Sequence, residues 1–194
     1  GMGVPQMTAI FETVRAAKEA GVPVIADGGI KYSGDIVKAL AAGASTVMMG
    51  GYFASTHESP GEKMTLSKAE VPGRFRHLIK EHVNEYVFKT YRGMGSVGAM
   101  EKGAAIKSEE EYHGKSYKDK VLVAEGVEGL VPVKGSVKEL VDQAVGGIKS
   151  GMYYLGLRNV EELQTKAEFI QITQASLTES HPHDLIITNA GKNY

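Results

Sequence analysis

Apolar Met7, Ile10, Phe11, Val14 and Ala17 recur at helical spacing before Gly21, so the first segment reads as an amphipathic helix that a glycine ends. "VPVIADGGI" follows as a short continuous apolar run, the pattern of a strand buried on both faces in a parallel sheet. "SGDIVKALAAG" predicts a second helix, with Ser33 as N-cap and Gly43 as its stop. "ASTVMMGGYFA" predicts a second buried strand. The two strands end in Gly28-Gly29 and Gly50-Gly51, a βαβ rhythm with the same signature repeated on one edge.

From Ser59 to Val133 the rhythm breaks. One short helix is expected near 75–87, with Val83, Val87 and Phe88 packing on one face. Tyr91–Met100, "YRGMGSVGAM", reads as a loop, too glycine-rich for a helix and too small-sided for a buried strand. The run from Lys107 to Lys120 is charged and reads as a solvated segment, a lid or binding loop or a disordered one. Val137, Leu140, Val141, Ala144 and Ile148 restore helical spacing. Tyr153-Tyr154 reads as core or subunit contact, and "NVEELQTKAEFIQIT" as a short helix and a strand. The tail is polar, with one β-like run at Leu185–Thr188. This divides the chain into 1–58, two helix–strand units; 59–134, a loop and flap; 135–166, a helical region; and 167–194, a tail.

Composition narrows the class. The chain has 194 residues, a net charge of -1 and 42% hydrophobic residues, ordinary for a soluble globular domain. There is no basic excess to suggest a nucleic-acid surface. No apolar run approaches the ~18 residues that span a membrane. "GMGVPQMTAI" is not built as a signal peptide, so a cytoplasmic setting is expected. Cys is absent, which removes disulfides, thiolate metal sites and a cysteine nucleophile from this chain. His57, His77 and His82 have no metal-like pairing and read as surface residues. Strand–glycine–helix repeats suggest a (β/α)8 barrel, but that fold takes ~250 residues. Either a small three-layer fold or the last part of a barrel would resolve the arithmetic.

In such barrels phosphate is held by the loops after the last strands, where glycine lets backbone N–H groups approach the oxygens. "ADGGI" and "MMGGY" fit those places. Asp27 would repel a phosphate but suits a ribose diol, so the chemistry points to a ribose monophosphate. The alternative is that both are tight strand-to-helix turns.

"VPVIADGGIKYSGDIVKALAAGASTVMMGGYFA", "ESPGE", "YRGMGSVGAM", "AEGVEGLVPVKGSV", "GGIKSGM", "ELQTKAEFI" and "ESHPHDLIITNAGKNY" resemble, in order, the C-terminal part of inosine-5′-monophosphate (IMP) dehydrogenase. The resemblance covers nearly the whole chain. It implies an α/β fold: the C-terminal portion of a (β/α)8 TIM barrel after strand six, with a long flap after the last strand and an extended tail. It implies NAD-dependent oxidation of IMP to XMP in guanine nucleotide synthesis, through a cysteine on a segment missing from this chain. A homotetramer and a need for the missing N-terminal part of the barrel are implied with it.

Residue by residue, Asp27 resembles the ribose-binding aspartate, and Gly29, Gly50 and Gly51 the phosphate cradle, with Gly51 where many members have Ser. Tyr91 resembles a phosphate-binding tyrosine. Gly93, Met94 and Gly95 resemble the loop along the base, and Glu125 the flap residue at the purine N1 edge that helps relay a proton. Glu179, Ser180 and His181 resemble a tail segment that completes a potassium site on the neighbouring subunit through backbone carbonyls. The family's flap also carries an Arg-Tyr pair that activates water. Here Tyr112 aligns with the tyrosine and Glu111 with the arginine, which reverses the charge; His113 and Lys115 are candidate substitutes. The sister family, GMP reductase, lacks that pair and reduces with NADPH. It stays open as an alternative, as does a non-catalytic purine nucleotide-binding module.

Overall fold

The computed structural model describes residues 2–104 and 123–184. The chain forms two compact units, Gly1–Tyr52 with Lys138–Tyr194, and Phe53–Val137. In the first, helix α1 (Gln6–Glu19) buries Ile10, flanked by Met7 and Val14, against Ala26, Ala39, Ala42 and Ala44. The chain turns at Gly21 (φ 65°) into β1 (Ile25–Asp27), crosses through α2 (Ser33–Ala41) and returns in β2 (Thr46–Met48). β1 and β2 pair in parallel, Ala26 opposite Val47 and Asp27 opposite Met48. The two helices and two strands expected between residues 6 and 48 form, giving a mixed α/β arrangement.

α5 (Val137–Tyr154) and α6 (Val160–Lys166) complete this unit's core: Ile36, Leu40 and Ala41 of α2 pack with Ala144 and Leu163. Gly147 and Gly151, one turn apart, let α5 lie close on α2. A Cβ at Gly151 would sit 3.0 Å from Val37 Cγ2, and one at Gly147 would strike Ser33. Asn159 caps α6 by accepting from the Glu162 N–H at 2.8 Å.

Several expectations are corrected. β1 and β2 are covered on one face only: Ala26 is buried, whereas Ile25 is 58% and Met48 50% exposed. Among the described residues helices cover just the Ala26–Val47 face. Ser33 is not the N-cap but the first helical residue, and it is buried. The capping carboxylate is Asp35, which accepts from the Lys31 and Tyr32 N–H groups at 3.1 Å each and pairs with Lys38 at 2.9 Å. No strand follows α6; 167–173 finds no pairing partner among the described residues, and helix α7 (Gln174–Glu179) comes next. Tyr153 and Tyr154 are largely exposed rather than core, their rings 6.0 Å apart edge to face. Leu185–Thr188 lies outside the described residues.

In the second unit the helix expected near 75–87 is a short 3-10 helix of two turns, Gly73–Leu78. The rest of this unit's regular structure is mainly strand. β3 (Lys63–Ser67), β4 (Glu85–Arg92) and β5 (Glu128–Pro132) form an antiparallel meander in that order. "EYVFKTYR" is rich in β-branched and aromatic residues, and two partner strands satisfy its backbone. Val87 therefore faces solvent while its neighbour Phe88 is buried, its ring 5.6 Å from Phe75. α3 (Gly50–Ala54) leads into this unit. The chain beyond it runs beside the segment before α5: the Lys134 N–H donates to the Ser55 carbonyl and the His57 N–H to the Gly135 carbonyl, both at 2.8 Å. The surface reading of His57, His77 and His82 holds, since all three are exposed. No described helix is long and apolar enough to cross a membrane.

Gly43 ends α2 at φ 102°, and a Cβ there would lie 2.6 Å from Val14 Cγ1. Gly43→Ala is expected to destabilise the chain by about 1–3 kcal/mol in urea unfolding; an unchanged midpoint would refute this. Burial pushes the Asp35 carboxyl up, but hydrogen bonds from Lys38, Lys31 and Tyr32 outweigh it and hold the group below its ordinary 3.8. Its contribution is therefore present above that value and fades as pH falls through the lower folded one. Melting curves between about pH 5 and 2 should show a shallower acid slope for Asp35→Asn than for the parent chain.

Candidate functional site

The parallel register sets the first group of residues. Because Asp27 pairs with Met48, both strands end at one edge, and Gly28-Gly29 and Gly50-Gly51 leave from it. Gly28 (φ 107°) and Gly29 (φ 76°) adopt the left-handed region that side chains avoid. Open space lies where a Cβ would be at either position, and likewise at Gly51. Gly50 and Gly51 form the first turn of α3, whose N–H groups have no partner within the helix. Asp27 is exposed; Gln6 Nε2 donates to its backbone carbonyl at 2.8 Å, and its carboxylate has no hydrogen-bond partner among the described residues. A cleft of about 140 Å³ beside this turn is lined by Gly28, Gly29, Gln6, Asp35 and Lys38 among others. Such an edge offers backbone donors and one free carboxylate, the complement of a polyhydroxylated anion.

The second group stands in the meander unit. Tyr91 and Arg92, expected in a loop, are the last residues of β4, and Tyr91 pairs with Gly129. Val97 begins helix α4 (Val97–Ala104). Only Gly93–Ser96 is a turn. The reason is capping: buried Ser96 Oγ accepts from the Ala99 N–H at 3.3 Å, and Glu128 Oε1 accepts from the Gly98 N–H at 2.8 Å. The turn is sewn to the segment before β5. The Gly93 N–H donates to the Val127 carbonyl at 2.9 Å, and the Gly95 carbonyl accepts from Glu125 at 3.0 Å and Gly126 at 2.9 Å. Glu125 is thereby fixed against the glycine loop with its side chain exposed, and Met94 projects 95% exposed. Tyr91 is half-buried, its hydroxyl unpartnered among the described residues.

The structure thus brings Asp27, Gly29, Gly50 and Gly51 together in one unit, and Tyr91, Gly93, Met94, Gly95 and Glu125 in the other. In the tail Glu179 ends α7, Ser180 caps it, and His181 Nδ1 lies 2.8 Å from the Leu177 carbonyl. Glu111, Tyr112, His113 and Lys115 fall outside the described residues. Among the described residues no cluster of His, Asp or Glu could hold a metal.

Sequence reading missed Lys89. It is fully buried on β4 and donates to the carbonyls of Thr56 and Ser59 and to Ser59 Oγ. Burial lowers its pKa; Lys63 adds to that and Glu58 opposes it. A lone lysine in a strand pattern carries no signal that both faces are covered.

Residues 1–183 match the family model described as IMP dehydrogenase / GMP reductase domain. The whole chain is 48% identical to a protein of Methanocaldococcus jannaschii, covering 36% of that relative's length. It is 48% identical to one of Chlorobaculum parvum, covering 36%, and 49% identical to one of Aquifex aeolicus, covering 35%. All three are named inosine-5′-monophosphate dehydrogenase. The chain spans about a third of the length of these curated relatives.

A Cβ on Gly126 would lie 2.8 Å from the Ser96 nitrogen and 2.9 Å from the Gly95 carbonyl carbon, whereas one on Gly93 meets nothing closer than 3.6 Å. Gly126→Ala should cost about 1–3 kcal/mol and quicken amide exchange at Glu125, while Gly93→Ala should do neither. Equal effects of the two substitutions would show that backbone contact is not what seats Glu125.

Proposed function

We propose that this chain, which belongs to the IMP dehydrogenase / GMP reductase family, is the nucleotide-binding C-terminal portion of the (β/α)8 barrel of an NAD-dependent IMP dehydrogenase, with a flap after the last strand and a C-terminal tail. The half-exposed Ile25–Met48 face of β1–β2 supports the barrel reading, since it is the face a closed barrel would turn inward. The names of the relatives support IMP as substrate; guanine nucleotide synthesis as its context rests on the family resemblance alone.

In this reading Asp27 accepts from the ribose hydroxyls. Gly29, Gly50 and Gly51 donate backbone N–H groups to the phosphate, and Tyr91 takes the role of the family's phosphate-binding tyrosine. Gly93, Met94 and Gly95 lay backbone against the purine, and Glu125 meets its N1 edge and relays a proton. The nucleophile that attacks purine C2 is a cysteine outside these residues, and NAD+ is the co-substrate that accepts the hydride. Among the described residues the carbonyls of Glu179, Ser180 and His181 accept no hydrogen bond, so they fit a potassium ion, which would supply charge and rigidity at a subunit contact in a tetramer. The observation that carries the reading most is the seating of Glu125 on Gly95, which puts an acid-base group at the edge of a backbone surface suited to a flat ring.

GMP reduction is the second reading, favoured by Glu111 standing where the dehydrogenase pattern has arginine. A non-catalytic nucleotide-binding module is the third, favoured by the absence of Cys. With the rest of the barrel supplied, NAD+ reduction with IMP should exceed NADPH oxidation with GMP; the reverse order selects the reductase, and no turnover selects the module. Calorimetric titration of IMP into the 194-residue chain alone should show no tight binding; tight binding would overturn the need for the missing strands. Glu125→Ala should lower kcat by about 100-fold with a much smaller change in KM for IMP. An unchanged kcat removes Glu125 from the chemistry.

A further inference from the structure

Lys89 is 0% exposed and has three ammonium protons for three acceptors, the carbonyls of Thr56 and Ser59 and Ser59 Oγ, the last two at 2.6 and 2.8 Å. Gly61 (φ 138°) lies flat over its stem: a Cβ there would sit 3.0 Å from Lys89 Cγ and Cδ and 2.6 Å from the Thr90 carbonyl. The captured segment is itself a crossing. Ser55 and His57 are bonded to Lys134 and Gly135, and the Glu58 carboxylate accepts from the Val137 N–H, 3.0 Å from each oxygen, at the first residue of α5. Lys89 and Tyr91 alternate onto the same face of β4, about 7 Å apart. Phe88, on the other face, packs on Phe75.

Packing alone does not require an ammonium here. A methionine would fill the stem volume without the desolvation that a buried cation costs. What the ammonium alone does is draw two carbonyls of the 55–59 crossing onto β4.

We infer that Lys89 is a positioning residue for the nucleotide loop, locking β4 to the 55–59 crossing so that Tyr91 and Gly93–Gly95 are held in register for the nucleotide. This rests on the proposed function for its ligand, while the lock itself is a property of the chain.

The test uses Lys89→Met, which strands the two carbonyls, and Lys89→Arg, which keeps donors and charge. Ser59→Ala, a milder change that removes one acceptor, serves if Lys89→Met does not fold. In the chain alone, amide exchange at His57, Lys134, Gly93 and Ser96 should quicken on the order of tenfold in Lys89→Met. Exchange in α1 should be unchanged, and arginine should restore part of the protection. In the barrel-complete enzyme, KM for IMP should rise about tenfold while kcat changes much less, again with partial rescue by arginine. Unchanged exchange at Gly93 and Ser96 overturns the inference. So does quickened exchange with an unmoved KM, which would make Lys89 a fold residue only. If the parent enzyme does not turn over IMP, the functional reading fails, and the exchange measurement still decides the lock by the same criterion.

Discussion

Three residue pairs, Ile25 with Thr46, Ala26 with Val47 and Asp27 with Met48, carry the parallel register on which the candidate site depends. Parallel strands cannot be joined by a tight turn, so α2 must make the crossover, and its own burial against α5 and α6 holds that crossover in place. A slip of one residue in this short ladder would turn Asp27 onto the helix-covered face and Ala26 onto the open one. The chemistry at the edge is thus protected by packing that lies away from it.

Glycine does two different jobs in this molecule. At Gly28 and Gly29 it supplies backbone angles that a side chain would strain, and Gly43 adds to such an angle a close approach to Val14. At Gly126, Gly147 and Gly151 the requirement is proximity: another backbone or side chain already occupies the volume of a Cβ. The first kind marks turns at strand and helix ends. The second joins segments far apart in sequence, α5 to α2 and the Glu125 segment to the 93–95 turn.

That distinction explains what could be read from sequence. α1, α2 and α5 follow from apolar spacing, and Gly21 and Gly43 from their place after it, because these signals are local. The helical reading near 75–87 and the loop reading from Tyr91 both miss β4, because Val83, Val87 and Phe88 share a face in a helical reading, while the strand exists only through partners at Lys63–Ser67 and Glu128–Pro132. Ser33 reads as a cap and Asp35 does not, because the chemistry of a cap is visible in sequence but its exact phase is not. The glycine pairs of the site are legible because each ends a short apolar run. The nearness of Glu125 to Gly95 came only from resemblance, since thirty residues separate them, and Lys89 came from neither.

The double capping of α4 bears on the order in which the chain acquires structure. Eight residues are too few to hold a helix in water without help. Ser96 is a local aid, whereas the Glu128 carboxylate arrives only when β5 has docked on β4. Closing that loop carries an entropic cost before any helical bond is gained. α4 is therefore a late helix in folding and an early one to fray, and its integrity reports whether the meander beside it is closed.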